Sequence, residues 1–302
     1  MLGSQGEINQ MNTKPTVLLV GASGMLGRQI ASALLDRGET RVKALVRNPT
    51  RTKELRDLTA RGMEVTPGDI LRPETLGPAT EGVTAIISAV GNDEQLIVEG
   101  QTNLLRAAEA NQVKRFIPSD FALDYRKLSM GDSVNLDMRK KFLPRLLDST
   151  VAHTSILNGA FMEMIQYGTV DPEKGLLNYW GDGHQKLDFT HSSDAAKYTA
   201  AAVADPAMAN EVLQVVGEET NYVDLAETYF RATGKRLNLN RLGSTDDLKA
   251  WIEKTKGTAQ NPWDYIGAQY TWAMVTGLGK LLPMNSRYPE IRPMGVEAFL
   301  RV

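Results

Sequence analysis

Gly21, Gly24 and Gly27 fall three residues apart in TVLLVGASGMLGRQIASALL, residues 16–35, where a β-rich apolar run gives way to a helical pattern. Each glycine has a separate physical use at such a joint. The first permits a tight turn, the second lets the backbone come close to a pyrophosphate, and the third lets the helix sit against the sheet. Amide groups and the positive end of the helix dipole would then face the phosphates. Ser23, Met25 and Leu26 belong to the same joint and are expected beside the same ligand.

The second strand sharpens this expectation. About 20 residues past such a joint, a chain that takes NAD places an acid on the ribose 2′-hydroxyl. Here ALVRNPTRTK puts Arg47 there, with Arg51 and Lys53 close behind. A guanidinium suits a 2′-phosphate, and no carboxylate is present to repel it. NADP(H) is therefore the expected cofactor; the plainer alternative is that Arg47 is a solvated cation at a strand end. Two further loops fall where strands end and ligands collect. Asp69 and Ile70 in GDI would reach the adenine side, and Ser88, Ala89 and Val90 in SAVG would let the backbone lie along the cofactor.

These positions need a scaffold, and the alternation of short apolar runs with helical patterns supplies one. Strands are expected at 16–21, 41–47, 63–66, 84–89, 114–118 and 153–157, and helices at about 24–37, 51–60, 73–80, 95–111 and 135–149. Nearly continuous apolar strands joined through helices indicate an α/β fold with a doubly wound parallel sheet. Past residue 160 the rhythm changes. Residues 175–192 read as a hairpin around Gly181 and Gly183, and SSDAAKYTAAAVADP as a helix capped by Ser192 or Ser193. EVLQVVG, 211–217, reads as a buried strand free to rejoin the main sheet, and 221–302 as mostly helical. The expected organisation is a leader at 1–13, with Met11 a candidate start, a dinucleotide-binding domain at 14–160, and a smaller, mostly helical substrate domain at 161–302.

Composition removes several alternatives. A net charge of −2 leaves no electrostatic footprint for nucleic acid or an anionic membrane. The absence of cysteine removes disulfides, thiolate nucleophiles and Cys-ligated zinc, and fits a reducing cytoplasmic setting. With three histidines, 153, 184 and 191, a His-rich metal site is not expected, and His153 reads as structural. The longest apolar runs are far short of the roughly 20 residues that span a bilayer.

GASGMLG, ALVRNP, SAVG, VKRFIPSDF at 113–121 and the YTWAMVTG…RYPEIRPMGVEAFL tail together resemble the NmrA-like and isoflavone reductase-like atypical short-chain dehydrogenases. The resemblance runs from about residue 15 to the C-terminus and is strongest in the first half. It implies a Rossmann-type domain, NADPH, and a small C-terminal domain closing over an aromatic substrate. It also implies that Gly159, Ala160 and Phe161 lie beside the nicotinamide. The Tyr-x-x-x-Lys pair of ordinary short-chain dehydrogenases is missing, because none of the nine tyrosines has a lysine four residues on. The reductase branch resembles a design in which one helical lysine does the acid–base work. Strict alignment puts Arg139 at that position in NLDMRKKFLPRLLDS, and arginine holds its proton too tightly to act as a base. Pro144 would disturb the helix register, so the catalytic role is expected at Lys140 or Lys141. Met162, Met164, Trp180, Trp272 and Met274 are candidate walls of the pocket.

The expected function is an NADPH-dependent reductase of a small, aromatic molecule. Its rival is a catalytically silent sensor that holds NADP(H) and binds a protein partner. A sugar-nucleotide epimerase needs the absent tyrosine pair. The sequence leaves a homodimer open.

Overall fold

The computed structural model describes residues 14–48, 53–261 and 263–301. The expected leader 1–13 with Met11, and the cation Arg51, lie outside the described residues. In chain order the strands are β1 (Thr16–Val20), β2 (Arg41–Val46), β3 (Glu64–Pro67), β4 (Ala85–Ser88), β5 (Arg115–Ile117), β6 (Ala152–Leu157) and β7 (Ala160–Phe161). Then follow β8 (Val170–Asp171), β9 (Leu176–Trp180), β10 (Leu187–Thr190), β11 (Glu211–Gln214), β12 (Glu218–Thr220) and β13 (Asn238–Gly243). The helices are α1 (Met25–Arg37), α2 (Arg56–Ala60), α3 (Leu76–Thr80), α4 (Gln101–Ala110) and α5 (Val134–Leu147). After them come α6 (Ser192–Ala204), α7 (Tyr222–Thr233), α8 (Thr245–Thr258), α9 (Trp263–Val275) and α10 (Val296–Leu300).

Seven strands form one parallel sheet in the order β11-β6-β5-β4-β1-β2-β3. Chain order reverses between β1 and β4, and the crevice beyond their carboxyl ends is where such sheets hold ligands. Successive side chains of a strand point to opposite faces, and β1 feeds two cores accordingly. Val17 and Leu19 pack with Ile30, Leu34, Ala200 and Ala201 on one face. Leu18 and Val20 pack with Ile86, Leu104, Phe116 and Phe142 on the other. A sheet covered on both faces accounts for strands as uniformly apolar as AIIS, all four residues of which are buried.

A further core lies under the C-terminal half, where two three-stranded sheets, β12-β10-β7 and β13-β9-β8, meet α7–α10. The two halves interleave in sequence. The first core takes α6 residues and Leu213 from beyond residue 160, and β11 pairs with β6 at the sheet edge. The C-terminal core takes Ala122, Leu123, Tyr125 and Leu136 from before it. No described helix is long and apolar enough to cross a membrane.

Three local expectations are corrected. The 175–192 hairpin is not one: β9 pairs with β8 and β13, whereas β10 pairs with β7 and β12. The Gly181–Gly183 joint instead carries the chain between sheets. It is pinned by Gly181 N–H on the Gly243 carbonyl, at 2.8 Å, and by Tyr222 N–H on the Gly183 carbonyl, at 3.1 Å. Helix α6 is capped by His191, whose ring accepts from Ser193 N–H, rather than by either serine. Helix α5 runs unbroken through Pro144, so no register slip occurs there.

Candidate functional site

At the joint after β1 the three glycines separate by what surrounds them. Gly21 has φ +84°, and a Cβ there would lie 2.3 Å from the Ala89 carbonyl oxygen. A Cβ on Gly27 would lie 2.0 Å from the Gly21 carbonyl oxygen. Protein packing therefore requires both. Gly24 is different: its φ of −73° and ψ of 166° suit any residue, and a Cβ there meets only the Gly21 oxygen at 3.4 Å. Nothing within the described residues demands a glycine at 24, which leaves room for a ligand as its reason. Gly24 caps α1 without a side chain, and the first turn carries no acid. Its first amides are thus open to an anion. Ser23, Gly24 and Met25 are exposed at this lip, and Leu26 is half-buried behind it.

The neighbouring loops divide between lip and core. Arg47 is exposed just past β2, whose Leu45 pairs with Val20 of β1, so it stands on the same sheet edge as Gly21. Ala89 and Val90 are half-buried after β4; Ala89 N–H donates to the Val20 carbonyl at 2.9 Å, and the Val90 carbonyl accepts from Ser119 Oγ at 2.8 Å. Ser88 is fully buried inside the sheet. Asp69 folds back on its own loop, its carboxylate accepting Leu71 N–H at 3.0 Å. The Ile70 side chain is core, tucked into the notch left by Gly100, which leaves its backbone as the part that could meet a ligand.

Beyond that crevice lies a cavity of about 840 Å³. Ala160 and Phe161 line it, as do Met164, Trp180 and Met274 among the expected walls. Met162 and Trp272 do not; both belong to the C-terminal core, and Lys249 lies over the Trp272 ring. Gly159 has φ +68° and sits where a Cβ would strike the Asp188 carbonyl at 2.4 Å. Tyr270 ties this corner together, its hydroxyl donating to the Gly159 carbonyl at 3.1 Å and accepting from Leu123 N–H at 3.2 Å. Burial pushes the Tyr270 phenol up to about 12 and raises Tyr222 as well, so both stay protonated.

Helix α5 presents Arg139 to the cavity, not Lys140 or Lys141. Arg139 is 6% exposed and donates to the Asp120 carbonyl at 2.9 Å, the Asn135 carbonyl at 2.7 Å and Asn92 Oδ1 at 2.9 Å. Burial lowers its guanidinium from the usual value, with the Asp120 charge opposing, but an arginine keeps its proton in a folded protein. Lys140 is half-buried and donates to the Leu128 carbonyl, and exposed Lys141 pairs with Glu94. On this unbroken α5 both ammonium groups of the expected lysines are turned to other partners.

Residues 13–260 match the family model of the NmrA-like family. The chain belongs to the NmrA-like family. A pinoresinol reductase of Arabidopsis thaliana is 28% identical over 311 residues, covering 96% of this chain and 97% of its own. An isoflavone reductase of Pisum sativum is 28% identical, covering 96% and 99%, and a phenylcoumaran benzylic ether reductase of Pinus taeda 28%, covering 85% and 81%. Among solved structures, AtPrR2 with NADP+ and (+)-pinoresinol superposes with a TM-score of 0.84 at 23% identity, covering 96% of this chain and 99% of that one. The leucoanthocyanidin reductase–NADPH complex of Vitis vinifera superposes with a TM-score of 0.80 at 22% identity, covering 95% and 98%. At those identities the two structures establish the fold.

Several cavity residues of this NmrA-like chain carried no signal in the sequence. Asn92, Asn135, Tyr222 and Tyr270 line the cavity from four separate segments, and only the tertiary fold brings them together. Asn92 could have been found, since it directly follows the SAVG loop. Among the described residues no group of acids and histidines could hold a metal ion.

Proposed function

We propose that this chain is an NADPH-dependent reductase of a small aromatic molecule. The observation that carries the reading is one loop serving two places: at Ala89 it closes on Gly21 in the phosphate joint, and two residues after Val90 it lines the aromatic cavity at Asn92. A dinucleotide laid across the joint would therefore reach the cavity at its far end. NADPH, when bound, supplies a hydride. The α1 amides around Gly24 would hold the pyrophosphate and Arg47 the 2′-phosphate, while Ala89, Val90, Gly159, Ala160 and Phe161 would flank the rest. In this reading residues 14–160 form the dinucleotide half, and residues 161–302 most of the substrate wall. Trp180, Phe161 and Met274 would keep water from the reacting carbon. The pinoresinol, isoflavone and phenylcoumaran benzylic ether reductases among its relatives support the reading.

The test is cofactor consumption by the protein with NADPH and a panel of aromatic enones, quinones and lignan-like ethers. Turnover of any member supports the reductase. Tight NADPH binding without turnover across the panel favours a second reading, a silent NADP(H) sensor with a protein partner. One observation favours that alternative: Arg139 stands where a lysine would exchange protons.

A further inference from the structure

Resting on the reductase reading, we propose that Arg139 and Asn135 form an oxyanion corner, and that the substrate is a conjugated aromatic carbonyl, a quinone or an aryl enone. A guanidinium has five N–H donors. Three of those on Arg139 are used by Asp120, Asn135 and Asn92, which leaves two for a ligand. Asn135, one helical turn away on α5, lines the same cavity, is 8% exposed, and has a buried side-chain oxygen with no hydrogen-bond partner. An unmade hydrogen bond at a buried acceptor is costly unless something completes it. The corner therefore offers fixed donors to an oxygen and an acceptor for that oxygen once it carries a proton.

The chemistry of the corner itself decides the class of oxygen it suits. Arg139 stabilises a negative charge without transferring a proton. The Tyr270 proton is committed to the Gly159 carbonyl. A simple alkoxide is too basic to await protonation, whereas a conjugated oxyanion is stable enough to be held by a cation and protonated by water. The step balances as follows. The substrate carbon gains a hydride, the conjugated π pair shifts onto the carbonyl oxygen, and that oxygen takes one proton from water. The substrate is reduced by two electrons and the dinucleotide oxidised by two. An ether, whose cleavage needs a proton delivered to the leaving oxygen, gets none from Arg139 or Asn135.

The test uses 4-nitrophenol, whose ionisation is read by its absorbance, bound to the full chain saturated with NADP+. The expected result is an ionisation midpoint at least about one pH unit below that of the free phenol, a tenfold preference for the phenolate. The shift should vanish in Arg139→Met. Should that variant not fold, Asn135→Asp, which sets a carboxylate against the guanidinium, should abolish the shift instead. In turnover, quinones or enones should be reduced and benzylic ethers not, with kcat about 10²–10³-fold lower in Arg139→Met. NADPH binding by calorimetry is the separate control. A protein that holds NADPH but binds the phenol without a shift overturns the oxyanion corner and leaves the reductase reading standing. Loss of NADPH binding in the wild type sinks the reading beneath it.

Discussion

A Cβ on Gly27 would sit 2.0 Å from the carbonyl oxygen of Gly21, so α1 rests on the turn that precedes it with no room for a side chain. The same test at Gly24 finds only an ordinary contact at 3.4 Å. The two positions should therefore respond differently to one methyl group. Gly27→Ala is expected to destabilise the fold by about 1–3 kcal/mol through overpacking. Gly24→Ala should leave stability within about 0.5 kcal/mol yet weaken NADPH at least about tenfold, because its Cβ projects where phosphate must approach. Thermal melts and calorimetry of both variants check this, and equal effects at the two sites would refute the division.

Arg47 should select between dinucleotides. It is exposed at the end of β2 on the edge that carries Gly21. A charge-assisted hydrogen bond to phosphate contributes about 1.5–3 kcal/mol. Arg47→Ala is then expected to weaken NADPH by roughly ten- to a hundredfold and NADH hardly at all. Titrations with both nucleotides decide it; equal losses would remove the 2′-phosphate contact.

The parallel sheet was legible in the sequence because its constraints are local. The glycine spacing and the uniformly apolar strands each need only a few neighbouring residues to be interpreted. The C-terminal half was not, because its partners are distant. β9 turns to β13, some sixty residues on, rather than to β10, and no alternation within 175–192 encodes that choice. Arg139 shows the same limit on a single helix. Strict alignment found its position, but which of three adjacent cations faces the cavity is set by the carbonyl of Asp120 and the side chain of Asn92. The placement of the Ile70 side chain is equally non-local, because a core notch at Gly100, thirty residues away, takes it.

Tyr270 joins the cavity to two loops, so losing its hydroxyl should weaken folding and substrate binding together. Tyr270→Phe keeps the ring but leaves the Gly159 carbonyl and the Leu123 N–H without their shared partner. Two such losses cost about 1–3 kcal/mol. Denaturant unfolding should show that decrease, and the substrate KM should rise because the Gly159 corner loosens. No change in either would mean that water replaces the hydroxyl without penalty.

His153 gives the fold an acid sensitivity of definite sign. Burial, and next the Arg115 guanidinium, push its imidazole below the usual value. The unfolded chain takes up this proton near pH 6.5 or so, and the folded chain does so only at lower pH. As pH falls from the unfolded value through the folded one, the unfolded state binds more protons and stability is lost; above that window the term vanishes. His153→Gln should therefore lose less of its thermal midpoint between pH 8 and pH 5 than the wild type does. Parallel losses in the two proteins would clear His153 of the effect.

Lys140 and Lys141 separate the two accounts of proton transfer. Lys141 is exposed and paired with Glu94, and exposed ion pairs contribute at most about 1 kcal/mol. Lys141→Ala should thus keep both stability and turnover near wild-type values. Lys140 reaches from α5 to the Leu128 carbonyl in the preceding segment, so Lys140→Ala should lower stability by about 1 kcal/mol while kcat falls less than about threefold. A helical lysine that carried the proton would give the opposite pattern: turnover lost, NADPH affinity kept, and a pH–rate profile bent by its ionisation. Kinetics of the two alanine variants across pH 6 to 9 distinguish these outcomes. A flat profile with retained turnover leaves Arg139 as the α5 cation that meets the substrate.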